Sequence, residues 1–165
     1  TILCDSTAIC EYLDEAYPSS SPLLGDSLLK RTETRRLVSF FDTKFYTDVT
    51  HKIVFEKTLK RHFGHGTTDS QRVREGRDSL NVHMDYLSWL VSRRHWLAGD
   101  EFSYADIAAA AHLSCLDYVG HIVWEKAPDM KDWYTRVKSR PSMRPLLEDK
   151  VPGILPSVEY ADLDF

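Results

Sequence analysis

Residues 96–114 read W-L-A-G-D-E-F-S-Y-A-D-I-A-A-A-A-H-L-S, and no other stretch restricts the fold as much. Ser103 is a strong helix N-cap residue, with a hydroxyl able to accept from a free amide near position 106. Asp106 follows three residues later and can answer the backbone N–H of Ser103, an aspartate version of the capping box. Its charge also suits the positive end of the helix dipole. Phe102 and Ile107 flank the pair at the spacing of a hydrophobic staple. Ala108 to Ala111 then combine high helix propensity with small side chains that let other helices approach closely. The pattern predicts a central, buried helix over about 104–118, ended by Gly120. Ser103 and Asp106 are its structural capping residues.

The rest of the chain is also mostly helical in period. Ile9, Leu13, Ala16 and Tyr17 recur at helical spacing, after a cap at Asp5 or Ser6 and before a stop at Pro18. Residues 19–26, with Pro22 and Gly25, form a linker. From about 27 to 63 runs a long helical region with an apolar stripe of Leu37, Phe40, Phe41, Phe45, Val49, Ile53 and Leu59. One straight helix of that length spans roughly 50 Å, too much for so small a domain. The β-branched Thr47, Val49 and Thr50 predict a bend or break near 47–52. A helix over 71–91 follows, in which Gly76 weakens the helix unless a neighbour needs close approach. Residues 121–126 read as a loop, Pro128 starts a helix, and a short one follows near 143–149. Pro152, Gly153 and Pro156 predict an extended tail, whose acidic end with spaced Tyr160, Leu163 and Phe165 either folds back or meets a partner.

The chain opens differently. Thr1-Ile2-Leu3-Cys4 is an apolar, partly β-branched run that reads as the inside of a strand. A strand without a partner in an otherwise helical chain predicts a segment preceding it. The length of 165 residues suits one domain with a sizeable core. A net charge of −4 gives no reason to expect nucleic acid or an anionic membrane surface as partner. The basic residues Lys30, Arg31, Arg35 and Arg36 are interleaved with acids and read as a solvated helix face. Three cysteines, an odd number with no C-x-x-C, suggest reduced thiols and a cytoplasmic protein. No apolar run approaches the ~18 residues of a membrane span.

Two stretches together reach a family. Asp5-Ser6-Thr7-Ala8-Ile9-Cys10-Glu11-Tyr12-Leu13 resembles the (Glu/Asp)-Ser-x-Ala-Ile-x-x-Tyr-Leu motif of the glutathione S-transferase superfamily. There it joins the last strand of a thioredoxin-like domain to its final helix. Gly99-Asp100 through Ser103-Tyr104-Ala105-Asp106 resembles the G-(D/E)-x-x-(S/T)-x-A-D capping motif of the same superfamily. The two lie about ninety residues apart with a proline-containing linker between them. Trp133 and Arg140-Pro141 resemble the ending of the family's helical domain. The resemblance implies a mainly α fold: a helical bundle like the transferase C-terminal domain, preceded by a strand-helix remnant of a thioredoxin-like α/β domain. The corresponding divisions are 1–18 for the remnant, 19–26 for the linker, 27–150 for the all-α domain and 151–165 for the tail.

The implied chemistry is conjugation of glutathione to a small electrophile. The free amides and positive end of the first helix suit the γ-glutamyl carboxylate, and Ser6 adds a hydroxyl. Asp5 would face the tripeptide's amino group. The alternative is that Ser6 only caps its own helix. By resemblance, the thiolate-stabilising residue belongs to a preceding thioredoxin-like half, so no catalytic residue is assigned in this chain. Phe41, Phe45, Tyr104 and Tyr118 are candidates for the acceptor pocket, or else plain core aromatics. A homodimer is implied, through the first helix and the long helix.

The ending of the chain, with Arg93 to Asp100 and Ala108 to Ser114, is similar to one branch of the superfamily. That branch is the glutathione-transferase-like cell-division proteins of alphaproteobacteria that bind FtsZ filaments. It implies a dimeric, filament-binding protein without a transferase role. His62 and His65 have no third ligand at suitable spacing, so no metal is expected. His112 reads as a hydrogen-bonded core histidine and Cys10 as a buried, inert thiol.

Overall fold

The computed structural model describes residues 2–19 and 21–163. Helix α1 covers Ser6–Ala16 and α2 covers Leu28–Ser39. The chain continues without interruption as a π-helical segment, Phe40–Leu59, and one more turn, α3, Lys60–His62. Then come α4 (Ser70–Val91), α5 (Tyr104–Tyr118), a 3₁₀ turn (Trp124–Lys126), α6 (Pro128–Lys138) and α7 (Arg144–Glu148). The long helix, α4, α5 and α6 enclose one hydrophobic core.

The long helix does not break near 47–52. Its winding loosens instead, with i→i+5 bonds such as Lys60 N–H to Phe55 O. The buried residues Phe41, Phe45, Val49 and Ile53 recur every four positions, so a wider turn keeps all of them on one face. Gly76 has the neighbour that its place in a helix requires. A Cβ there would stand 2.7 Å from Ile53 Cγ1, so the glycine lets α4 lie against the π-helical segment. Buried Glu56 joins the same two elements by accepting from the backbone N–H of Asp69, the N-cap of α4, at 2.8 Å.

Three expectations need correction. Among the described residues there is no strand, and residues 2–4 carry no regular structure. A lone strand leaves its backbone groups unpaired, and nothing in the described chain lies alongside to pair with it; Thr1 lies outside the described residues. Residues 121–126 are not all loop, because Trp124–Lys126 form a turn of 3₁₀ helix. The tail is not extended either. Tyr118 donates its hydroxyl to Ile154 O at 2.9 Å and accepts from Val151 N, while Tyr118 O accepts from Ser157 N. Tyr118, Leu147 and Tyr160 form a small second core beneath it. The ammonium of fully buried Lys138 bonds the carbonyls of Glu159 and Asp162. Pro152 sits in a turn, and these long-range bonds decide where the tail lies. Phe165, named in the tail, lies outside the described residues.

Candidate functional site

The start of α5 is built as its residues demand. Ser103 Oγ accepts from Ala105 N at 3.3 Å, and the Asp106 carboxylate accepts from Ser103 N at 3.0 Å. The carboxylate does more than cap. It is fully buried and also accepts from Ser103 Oγ, Leu97 N and Trp133 Nε1 at 2.9–3.1 Å. One carboxylate therefore binds α5, the preceding loop and α6 together. Burial pushes its pKa up and the four donors oppose that shift. Phe102 is held edge-on by Trp96, with the Arg140 guanidinium 3.7 Å over its ring.

At the other side of α5 lies a cleft of about 660 Å³ between α1, α2, the first π turn and α5. Each element offers one face. Ser6, Thr7, Cys10 and Glu11 come from α1; Arg35, Val38, Ser39, Asp42 and Thr43 from the long helix; Tyr104, Ile107, Ala108 and Ala111 from α5. The small side chains of Ala108 and Ala111 leave room for the cleft. The volume falls within the ~300–1,000 Å³ range typical of small-molecule sites.

Several rim groups are already engaged. Arg35 holds Glu11 through two bonds of 2.9 and 2.8 Å, and this fork keeps the Glu11 carboxyl below its usual range. Asp42 stands 3.5 Å from His112 Nε2, whose Nδ1 meets Thr50 Oγ1 at 3.0 Å. Burial lowers the His112 pKa, as befits a hydrogen-bonded core histidine. Tyr104 donates to Cys10 O at 2.7 Å, and burial pushes its phenol up to about 12. It is therefore a neutral donor at pH 7, stitching α5 to α1. The linker is fixed by Asp14, which accepts from Leu23 N and Leu24 N at 2.9 and 3.0 Å.

Of the residues singled out in the sequence, Ser6 and Tyr104 line the cleft together. Asp5 caps α1 by accepting from Ala8 N at 3.0 Å, with a φ of 76°, a left-handed conformation that disfavours residues with a Cβ. Phe41 and Phe45 are fully buried and pack on each other in the main core. Tyr118 lies under the tail. These three aromatics sit in cores and not on the cleft wall, because hydrophobic burial sends large rings inward. Cys10 is exposed on the cleft, not buried. Arg35, Asp42 and Ile107 are lining residues that the sequence reading missed. The signal was an i, i+3/i+4, i+7 recurrence shared by 35–42 and 104–111.

Residues 46–141 match the glutathione S-transferase C-terminal domain family. Among curated proteins, the chain is 43% identical over 164 residues to FtsZ-localized protein A of Caulobacter vibrioides. That alignment covers 99% of this chain and 72% of the relative. The chain belongs to the glutathione S-transferase family. A crystal structure of a glutathione S-transferase from Rhodospirillum rubrum matches at a TM-score of 0.95 and 53% identity, over 99% of this chain and 73% of that one. FzlA from C. crescentus matches at 0.95 and 42%, over 100% and 73%. The chain covers a smaller share of other relatives, such as 60% of the glutathione S-transferase-like protein LUC7 of Fusarium. Within this transferase domain, the cleft is where α1 faces the helical bundle. Among the described residues no group of three or more His, Cys, Asp or Glu could hold a metal ion, and no helix is long and apolar enough to cross a membrane.

Proposed function

We propose that this chain forms the helical part of an FtsZ-associated cell-division protein built on a glutathione-transferase fold. The observation that carries the reading is its 43% identity, across nearly its whole length, to FtsZ-localized protein A. The same comparison gives 26–28% with the next curated transferase-like proteins. On this reading the protein works in the cytoplasm as a homodimer. Tyr12 on α1, Tyr17 at its C-cap, and Leu28 and Leu29 on α2, each at least half exposed, support pairing through these helices. Co-sedimentation of the full-length protein with FtsZ polymers tests the proposal. Pelleting that depends on polymer supports it, and a protein that stays in the supernatant with polymer present sinks it.

The cleft favours a second reading, glutathione conjugation to a small electrophile. Ser6 lies at the cleft edge beside the free amides of α1, where a glutathione carboxylate has partners, and Asp5 is next to it. Ile107, Ala108 and Ala111 would then contact the electrophile, with Tyr104 at the rim. Retention on immobilised glutathione, lost in Ser6→Ala, together with turnover of a generic electrophile, would establish it. An absence of both leaves the filament reading alone.

A further inference from the structure

A second cavity, of about 460 Å³, lies between α4 and the turn after α5. Its polar wall is Arg77, Asn81, Asp85, His121 and Lys126, and much of the remainder is hydrocarbon, including Met84 and Ile122. His121 is the built part of this site. Its side chain belongs to a residue only 9% exposed, and its Nδ1 accepts from Arg77 Nε at 3.1 Å. Nδ1 is an acceptor in that bond, so the ring proton sits on Nε2. Among the described residues that Nε2–H has no acceptor. Arg77 and Lys126 add positive charge at the cavity and Lys57 adds more nearby, against the single carboxylate of Asp85. Burial first, then Arg77 and Lys57, push the imidazole down to about 4, so His121 is neutral at pH 7. A cationic cavity lined by apolar walls and by the N–H of a largely buried histidine that lacks an acceptor is complementary to an anion on a hydrocarbon body.

We propose that this cavity binds a small carboxylate carrying an apolar body, with Arg77, His121 Nε2–H and Lys126 on the carboxylate and Met84 and Ile122 on the hydrocarbon. The site is independent of the cleft and of either functional reading above. A carboxylate suits it better than a doubly charged phosphate, because Asp85 stands in the same wall and hydrocarbon fills much of the rest.

The test is calorimetric titration of the full-length protein with 2-naphthoate at pH 7, with 2-naphthalenemethanol as the uncharged control. Binding of naphthoate is expected to exceed that of the alcohol by about tenfold or more, as for a lost charged hydrogen bond. Arg77→Met and Lys126→Met, both at exposed positions, each weaken it by about tenfold, and Asp85→Asn tightens it about threefold. Ile107→Trp, which fills the other cleft, leaves it unchanged. In a proton NMR titration, the midpoint of the His121 ring resonance rises on saturation with naphthoate, because an anion beside the ring favours imidazolium. No heat at millimolar naphthoate overturns the proposal. So does equal binding of the alcohol, loss of binding in Ile107→Trp alone, or a His121 midpoint that ligand does not move.

Discussion

The aspartates at the starts of α1 and α5 serve their helices in opposite ways. Asp106 on α5 is fully buried and accepts four hydrogen bonds from three parts of the chain. Asp5 on α1 is exposed, accepts one bond, and holds its backbone at a φ of 76°. Among the described residues α1 buries none of its side chains, whereas α5 buries nine. Similar capping chemistry thus serves different ends. At α5 the cap is a junction of the core, and its loss strands several donors away from water. At α1 the cap ends a helix whose Ser6, Thr7, Cys10 and Glu11 border the cleft. Backbone strain of the Asp5 kind persists where surrounding structure holds it, and it recurs beside binding sites.

The largest effect should come from Asp106→Ala. It leaves Leu97 N–H, Ser103 N–H and Trp133 Nε1–H without their acceptor, at a cost of about 3–5 kcal/mol. Denaturant unfolding measures this, and a loss below about 1 kcal/mol would reduce Asp106 to an ordinary cap. Next comes Gly76→Ala, which tests the core side by overpacking. Alanine favours a helix, yet its Cβ meets Ile53 at 2.7 Å, so a net loss of about 1–3 kcal/mol is expected. Stabilisation in the same assay would show that α4 and the π-helical segment can separate freely.

The third prediction concerns acid. Glu33 on α2 is held at about 2 by the Arg36 fork, which outweighs burial, with help from Arg94. Its folded pKa is depressed, so its contribution is present above the unfolded value of ~4.3 and is lost as pH falls from there towards 2. After allowance for solvent screening this is about 1–2 kcal/mol. Glu33→Gln should therefore flatten the fall in stability over that window, and parallel curves for mutant and parent would refute it. Asp106, pushed up, has the opposite sign: protonation in acid favours the folded state. The smallest effect is at Asp5. Asp5→Ala loses the cap and keeps the strained φ, costing about 1 kcal/mol. Asp5→Gly relieves the strain and should fall within about 0.5 kcal/mol of the parent. If alanine and glycine behave alike in thermal melts, the left-handed conformation is not a constraint there.

Much of the site was legible because its determinants are local. A cap at Asp5 or Ser6, the Ser103–Asp106 box, Pro128 at the start of α6 and the Gly120 stop all act within a few residues. Each could be read from spacing alone. Phe41, Phe45 and Tyr118 could not, since a large aromatic ring suits a core and a pocket wall equally well. The cleft needed three helix faces brought together, and sequence order does not state which faces meet.

By itself, then, the sequence determined the helices, their caps and the family, because short-range hydrogen bonds and periodic apolar positions are written residue by residue. Only the tertiary structure decided that the long helix loosens instead of breaking, that the tail docks on Tyr118 and Lys138, and that Asp106 is a core junction. Those outcomes depend on which distant groups exclude water from one another, and desolvation is a property of packing, not of spacing along the chain.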